Sequence, residues 1–214
     1  MSAGRLIVWR HGRTEWNLQN KMQGQADIPL DEVGIGQARA AAARLASLAP
    51  TRLFASDLQR AAATAGELAA ITGLKIEYDE ALREIDVDDW AGLTSAELAA
   101  INPEAEIRIR NGEPYRRGTN GETVEEVADR FSASLSRIST EGTAEDTIVV
   151  ATHGLAARVG ICQFLGIPHA SWPAFGGLSN CNWVSLLPGR HGWRIEEWNA
   201  GSLPEPVMSD DPQR

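Results

Sequence analysis

Residues 5–17 read RLIVWRHGRTEWN, and the join between Arg10 and His11 decides the fold. Leu6–Trp9 is a continuous apolar run, the length of a strand buried on both faces. The polar, glycine-containing HGRTEWN follows at once, so the chain leaves the core there. The same pattern recurs at residues 147–154, TIVVATHG, where Thr147–Ala151 is the most strand-like run in the chain and a helical segment to Leu165 follows His153 and Gly154. Between these two landmarks the spacing predicts a helix over Glu32–Leu48 ended by Pro50, a strand over Thr51–Ala55, a helix over Leu58–Ile71 stopped by Gly73, and a strand over Lys75–Tyr78. Thr94 with Glu97 and Thr123 with Glu126 fit capping boxes, opening helices that reach Ile101 and Ser139. Asn102–Asn120, with its prolines, glycines and arginines, reads as a long irregular loop. Strands near Asn182–Leu187 and Trp193–Trp198 close the domain. Strand alternating with helix is the rhythm of an α/β fold.

With 214 residues and 43% hydrophobic content, the chain can bury one core. Its 20 basic and 29 acidic residues leave a charge of −9, which argues against a basic face for nucleic acid or an anionic membrane. No signal-peptide core and no run near the length of a membrane span is present, so a cytoplasmic protein is expected. Cys162 and Cys181 make no CxxC pair and read as core residues. Gly34 and Gly36 form a GxG, but inside a helical pattern and not after a strand. Residues 1–199 are read as one domain, and 200–214, with three prolines and three acids, as a mobile tail. The tryptophans of the C-terminal third mark either core or a homodimer face.

His11 and His153 each follow a strand's C-terminal end, the edge where α/β sheets bind ligands. A helix starting after His153 would aim backbone N–H groups and its positive dipole end at the same place, which suits a phosphate. Arg10 abuts His11, and Arg60 lies in the first turn of the helix after Thr51–Ala55; their planar guanidiniums are candidates for clamping phosphoryl oxygens. His169 and His191, beside Pro168 and Gly189, read as structural.

RHGRTEWN at 10–17 resembles the signature of the histidine phosphatase, or phosphoglycerate mutase-like, superfamily. ASDLQRAAATA at 55–65, LREIDVDDWAGLT at 82–94 and ATHGLAAR at 151–158 follow in that family's order, and NGET at 120–123 is similar to its GES block, although Thr123 already serves as a helix cap. The resemblance implies a three-layer α/β/α fold with a mostly parallel central sheet. His11 would be the nucleophile, Glu84 the acid, and Arg10, Arg60 and His153, the last protonated, would bind phosphoryl oxygens. Asn17 and Gly154 would add contacts at the phosphate. No metal and no organic cofactor would be needed for hydrolysis of a small phosphorylated metabolite. The family also holds phosphoglycerate mutases, the first alternative; their tryptophan-double-arginine-serine block is absent, leaving Arg116 and Arg117 without the tryptophan. A non-catalytic binder of phosphorylated ligands is the second alternative. Segments 170–183 and 193–200 are similar to those of glucosyl-3-phosphoglycerate phosphatases, which implies that compound or a sugar phosphate as substrate. Asp88, Asp89 and Ala91 around Trp90 depart from the family's glycine and glutamates; Asp86, Asp88 and Asp89 read as solvated carboxylates.

Overall fold

Alternate side chains of β1 (Arg5–Arg10) leave the strand on opposite sides, and every residue from Leu6 to Arg10 is buried. A computed structural model of the chain describes residues 2–201, and in it β1 lies inside a six-stranded sheet of order β3-β2-β4-β1-β5-β6. The other strands are β2 (Arg52–Ala55), β3 (Ile76–Tyr78), β4 (Thr147–Thr152), β5 (Trp183–Gly189) and β6 (Gly192–Ala200). The first four pair in parallel, and β5 and β6 are antiparallel additions on the side of β1.

Strand alternation divides the core between two faces. Ile7, Trp9, Leu53 and Val149 pack with Ala38, Ala41, Ala42 and Leu45 of α2 (Glu32–Ala46) and with Ala65 and Leu68 of α3 (Gln59–Thr72). Leu6, Val8, Ile148 and Val150 pack on the opposite face with Phe131, Leu135 and Ile138 of α6 (Val124–Glu141) and with Ala157 and Ile161 of α7 (Gly154–Phe164). This is the three-layer α/β/α arrangement. Within the α6 and α7 layer a small residue lets α7 press on α6: a Cβ on Gly160 would meet the Phe131 ring at 2.1 Å. Trp172 and Trp183 are buried, Trp193 meets Phe164 and Trp198 meets Phe175, so these tryptophans find their partners within the chain. Cys162 and Cys181 are buried and unpaired, as read from the sequence.

Three departures have local causes. The residues read as an irregular loop contain α5 (Pro103–Arg110), capped by Asn102, whose side chain accepts from the Ala105 N–H; Pro103 stands at the first turn, where its missing N–H costs nothing. Glu104 and Glu106 face Arg108 and Arg110 one turn later, and the preceding α4 (Ser95–Ile101) carries the expected capping box. A single helical turn, α1 (Glu15–Leu18), interrupts the signature; Thr14 and Asn17 cap it reciprocally. Finally β6 extends through Ala200, which pairs with Trp183, so that residue belongs to the sheet and not to the expected tail. The rest of that tail, 202–214, lies outside the described residues. Among the described residues no helix is long and apolar enough to cross a membrane.

Candidate active site

The register of the sheet brings the chemistry together. Arg10 pairs with Thr152 and Ala55 with Ala151, so His11, His153 and Ser56 emerge side by side from three neighbouring strands. The His11 and His153 ring centroids are 5.2 Å apart, edge to face. His11 Nδ1 is 2.7 Å from the Gly12 carbonyl oxygen. A carbonyl only accepts, so Nδ1 carries the proton and the free lone pair is on Nε2. The His11 backbone is fixed at both ends: its N–H donates to the Thr152 carbonyl, and its own carbonyl accepts from the Cys181 N–H and from Asn180 Nδ2.

Arg10 and Arg60 are buried beside the two rings. Arg10 Nη1 donates to the Leu178 carbonyl at 2.5 Å; Arg60 Nη1 and Nη2 donate to the carbonyls of Ala26 and Gly24 at 2.8 and 2.7 Å. Burial is the larger cause, with the Arg10 charge added, that brings the Arg60 guanidinium down to about 10, while Glu84 and Asp27 oppose the shift. Burial, then Arg60 and Arg10, hold His11 well below the usual histidine range, against the pull of the Gly12 carbonyl. Burial first, then Arg60, His11, Arg10 and Arg130, do the same to His153. The sequence reading gave His153 a proton. The pocket itself opposes that proton.

Ser56 was not singled out from the sequence. Its Oγ lies 2.9 Å from His153 Nε2, with both residues fully buried, while His153 Nδ1 is buried without a hydrogen-bond partner. Nδ1 is therefore the nitrogen that the serine leaves for another partner. Arg130, in the middle of α6, is the other missed residue: it donates to the carbonyls of Ala81, Arg83 and Glu84 and pairs with Glu122, clamping the segment that presents Glu84. No sequence motif distinguishes it from an ordinary helix-surface arginine.

The half-buried Glu84 carboxylate accepts from the Leu155 and Ala156 N–H groups at 3.2 and 2.9 Å, and from its neighbour Ile85 at 3.0 Å. This corrects one expectation, because these N–H groups of α7 hold Glu84 and are not left for a phosphate. Gly154 lies against Arg10: a Cβ there would sit 3.3 Å from Arg10 Nε. Asn17 Oδ1 accepts from Thr14 and Asn180, linking the helical cap to the His11 backbone. Asp88 and Asp89 are exposed but not merely solvated; they accept from Asn120 and Thr119, while Asp86 accepts from the Asp88 N–H. Among the described residues no group of three or more His, Cys, Asp or Glu is placed to hold a metal ion.

The family model for the histidine phosphatase superfamily (branch 1) matches residues 6–201. The chain belongs to the histidine phosphatase superfamily. A glucosyl-3-phosphoglycerate phosphatase of Mycobacterium tuberculosis is 36% identical over 94% of this chain and 97% of that protein. A mycobacterial glucosyl-3-phosphoglycerate phosphatase solved with VO3 superposes with a TM-score of 0.85 at 36% identity, covering 92% of this chain and 99% of that one. A phosphoserine phosphatase of Entamoeba histolytica, solved with 3-phosphoglyceric acid, gives a TM-score of 0.81 at 26% identity, covering 92% and 96%. Within this superfamily the chain is a phosphatase, a phosphoric monoester hydrolase.

Proposed function

We propose that this histidine phosphatase hydrolyses glucosyl-3-phosphoglycerate, or a phosphoglycerate ester close to it, through a phosphohistidine on His11. The observation that carries the mechanism is the hydrogen bond from His11 Nδ1 to the Gly12 carbonyl, which leaves Nε2 as the attacking atom in a ring kept neutral by burial and two arginines. Nε2 attacks phosphorus in line with the ester oxygen. As the P–O bond breaks, the leaving oxygen takes its electron pair and a proton from Glu84. Charge on the equatorial oxygens is met by Arg10 and Arg60, and by His153 once the anion has drawn a proton to it. Asn17 and Gly154 complete the wall of the phosphate pocket. In the second half, Glu84 takes a proton from water as the water oxygen attacks phosphorus; the N–P bond breaks and inorganic phosphate leaves.

The substrate assignment is supported by near full-length similarity to the mycobacterial phosphatases. The charge of −9 supports a small metabolite over a nucleic acid. It is tested with a panel of phosphomonoesters: glucosyl-3-phosphoglycerate, 3-phosphoglycerate, phosphoserine and simple sugar phosphates. Phosphate release from the first with a kcat/KM above about 10⁴ M⁻¹s⁻¹, the low end for enzymes on their own substrates, and above every other member is expected. A sugar phosphate turned over faster than any glycerate ester would overturn the substrate assignment.

A further inference from the structure

At neutral pH His11 and His153 each carry one ring proton, and the group beside each ring decides which nitrogen holds it. For His11 that group is the Gly12 carbonyl, an acceptor, which keeps the proton on Nδ1 and leaves Nε2 bare. For His153 it is the Ser56 hydroxyl, which can donate or accept. Its surroundings remove the choice. Ser56 and His153 are both fully buried, so the bond between them is shut off from solvent. Among the described residues the other polar neighbour of Ser56 Oγ is the Leu58 N–H, at 3.4 Å, itself a donor. His153 Nε2 is therefore the acceptor within reach of the hydroxyl proton, and a buried hydroxyl left without one is destabilising.

The sheet sets the position of that hydroxyl. Ala55 pairs with Ala151, and the Ser56 N–H donates to the Ala151 carbonyl at 2.9 Å, so the residues just beyond β2 and β4 come out together. The His153 ring lies 5.2 Å from that of His11, and its Nδ1 is buried with no hydrogen-bond partner. With Nε2 taken by Ser56, Nδ1 is the nitrogen left for an oxygen bound between the two rings.

Resting on the place given to His153 at the phosphoryl group above, we propose that Ser56 is a positioning residue, whose hydroxyl donates to His153 Nε2, keeps the ring proton on Nδ1 and so presents a neutral N–H donor to a phosphoryl oxygen. The two rings then meet the substrate with opposite ends. His11 offers the lone pair that attacks, and His153 offers a proton that it keeps while holding the oxygen in place. The same bond serves the charged ring. When the bound anion draws a second proton to His153, that proton goes to Nε2, and the hydroxyl turns about its Cβ–Oγ bond to accept from it. Without the serine the ring is free to carry its one proton on Nε2 and to present a bare Nδ1 to an anionic oxygen, which repels it.

The test reads the proton directly. ¹⁵N NMR of the ligand-free protein labelled at histidine, assigned with single histidine substitutions, distinguishes a protonated from a bare ring nitrogen. Wild-type His153 should show a protonated Nδ1 and a bare Nε2, and in Ser56→Ala the Nε2–H form should appear. Ser56→Ala should also lower kcat/KM for p-nitrophenyl phosphate and the affinity for vanadate by about 5- to 100-fold, the range for leaving one buried partner unpaired. His153→Ala should lose at least as much, and the double variant no more than His153→Ala, because the serine acts through that ring. A wild-type His153 protonated on Nε2 overturns the proposal, whether or not Ser56→Ala is stable enough to assay. An unchanged tautomer in Ser56→Ala, or additive losses in the double variant, overturns it too while leaving the role of His153 intact. No loss in His153→Ala would overturn that role, and the positioning by Ser56 with it.

Discussion

His11 and His153 are neutral in the pocket for the same reason that they can serve it. Burial and two arginines that they cannot escape depress both rings, and in the proposed mechanism the same arginines would attract the phosphoryl dianion that reverses the effect on His153. Binding of vanadate or phosphate near pH 7 should therefore take up a proton. Calorimetry in buffers of different ionisation enthalpy measures that uptake, and its absence would show that His153 stays neutral in the complex. The same depression has a stability consequence. Above the unfolded histidine value of about 6.5 both states are neutral; below it the unfolded chain gains protons that the folded pocket refuses, so stability is lost as pH falls toward the folded values. Denaturant midpoints of the ligand-free protein should fall between pH 7 and 5 and recover with added phosphate. At this scale Arg10, His11, Arg60, Glu84 and His153 were legible because each stands in a motif block. Ser56 was not singled out, although it lies in one of those blocks, because a serine at a strand end carries no pattern that marks it as a partner of a histidine nearly a hundred residues away.

The GxG of α2 separates what local pattern can and cannot show about an element. Both glycines sit in the helix, as the pattern predicted, but they have opposite reasons. A Cβ on Gly34 would lie 2.0 Å from the Arg13 carbonyl oxygen, whereas Gly36 has nothing within 4 Å. Gly34 lets the helix start press against the signature loop, while Gly36 is only a poor helix former. Gly36→Ala should stabilise the protein by about 0.5–1 kcal/mol, the usual alanine-for-glycine difference within a helix. Gly34→Ala should instead lower the melting temperature and kcat together, because the loop that carries His11 must move. Melting curves and turnover of the two variants check this; two variants that behaved alike would refute it. The misread α5 follows the same logic. Pro103 is a breaker inside a helix and a starter at its first turn, and only the Asn102 cap, seen in three dimensions, tells which.

Across the whole molecule, the parallel strands and their register are what make a reactive centre from residues far apart in sequence. Neighbouring strands β1, β4 and β2 deliver His11, His153 and Ser56, and the helix after β2 delivers Arg60. The segment after β3 delivers Glu84, which Arg130 clamps from behind. Strand and helix alternation was readable from composition and spacing; strand order was not, since it depends on which buried faces meet. Under the mechanism proposed above, the phosphoryl group passes from substrate to His11 and on to water. The direct measurement is rapid quenching into alkali of the enzyme turning over a ³²P-labelled phosphoglycerate ester, with labelled peptide, inorganic phosphate and isomerised glycerate followed together. Label should appear on His11 within the first turnover and then in inorganic phosphate, and His11→Ala should retain less than about a thousandth of the rate. Label returning to a glycerate isomer without phosphate release, or turnover with no label on His11, would contradict the account.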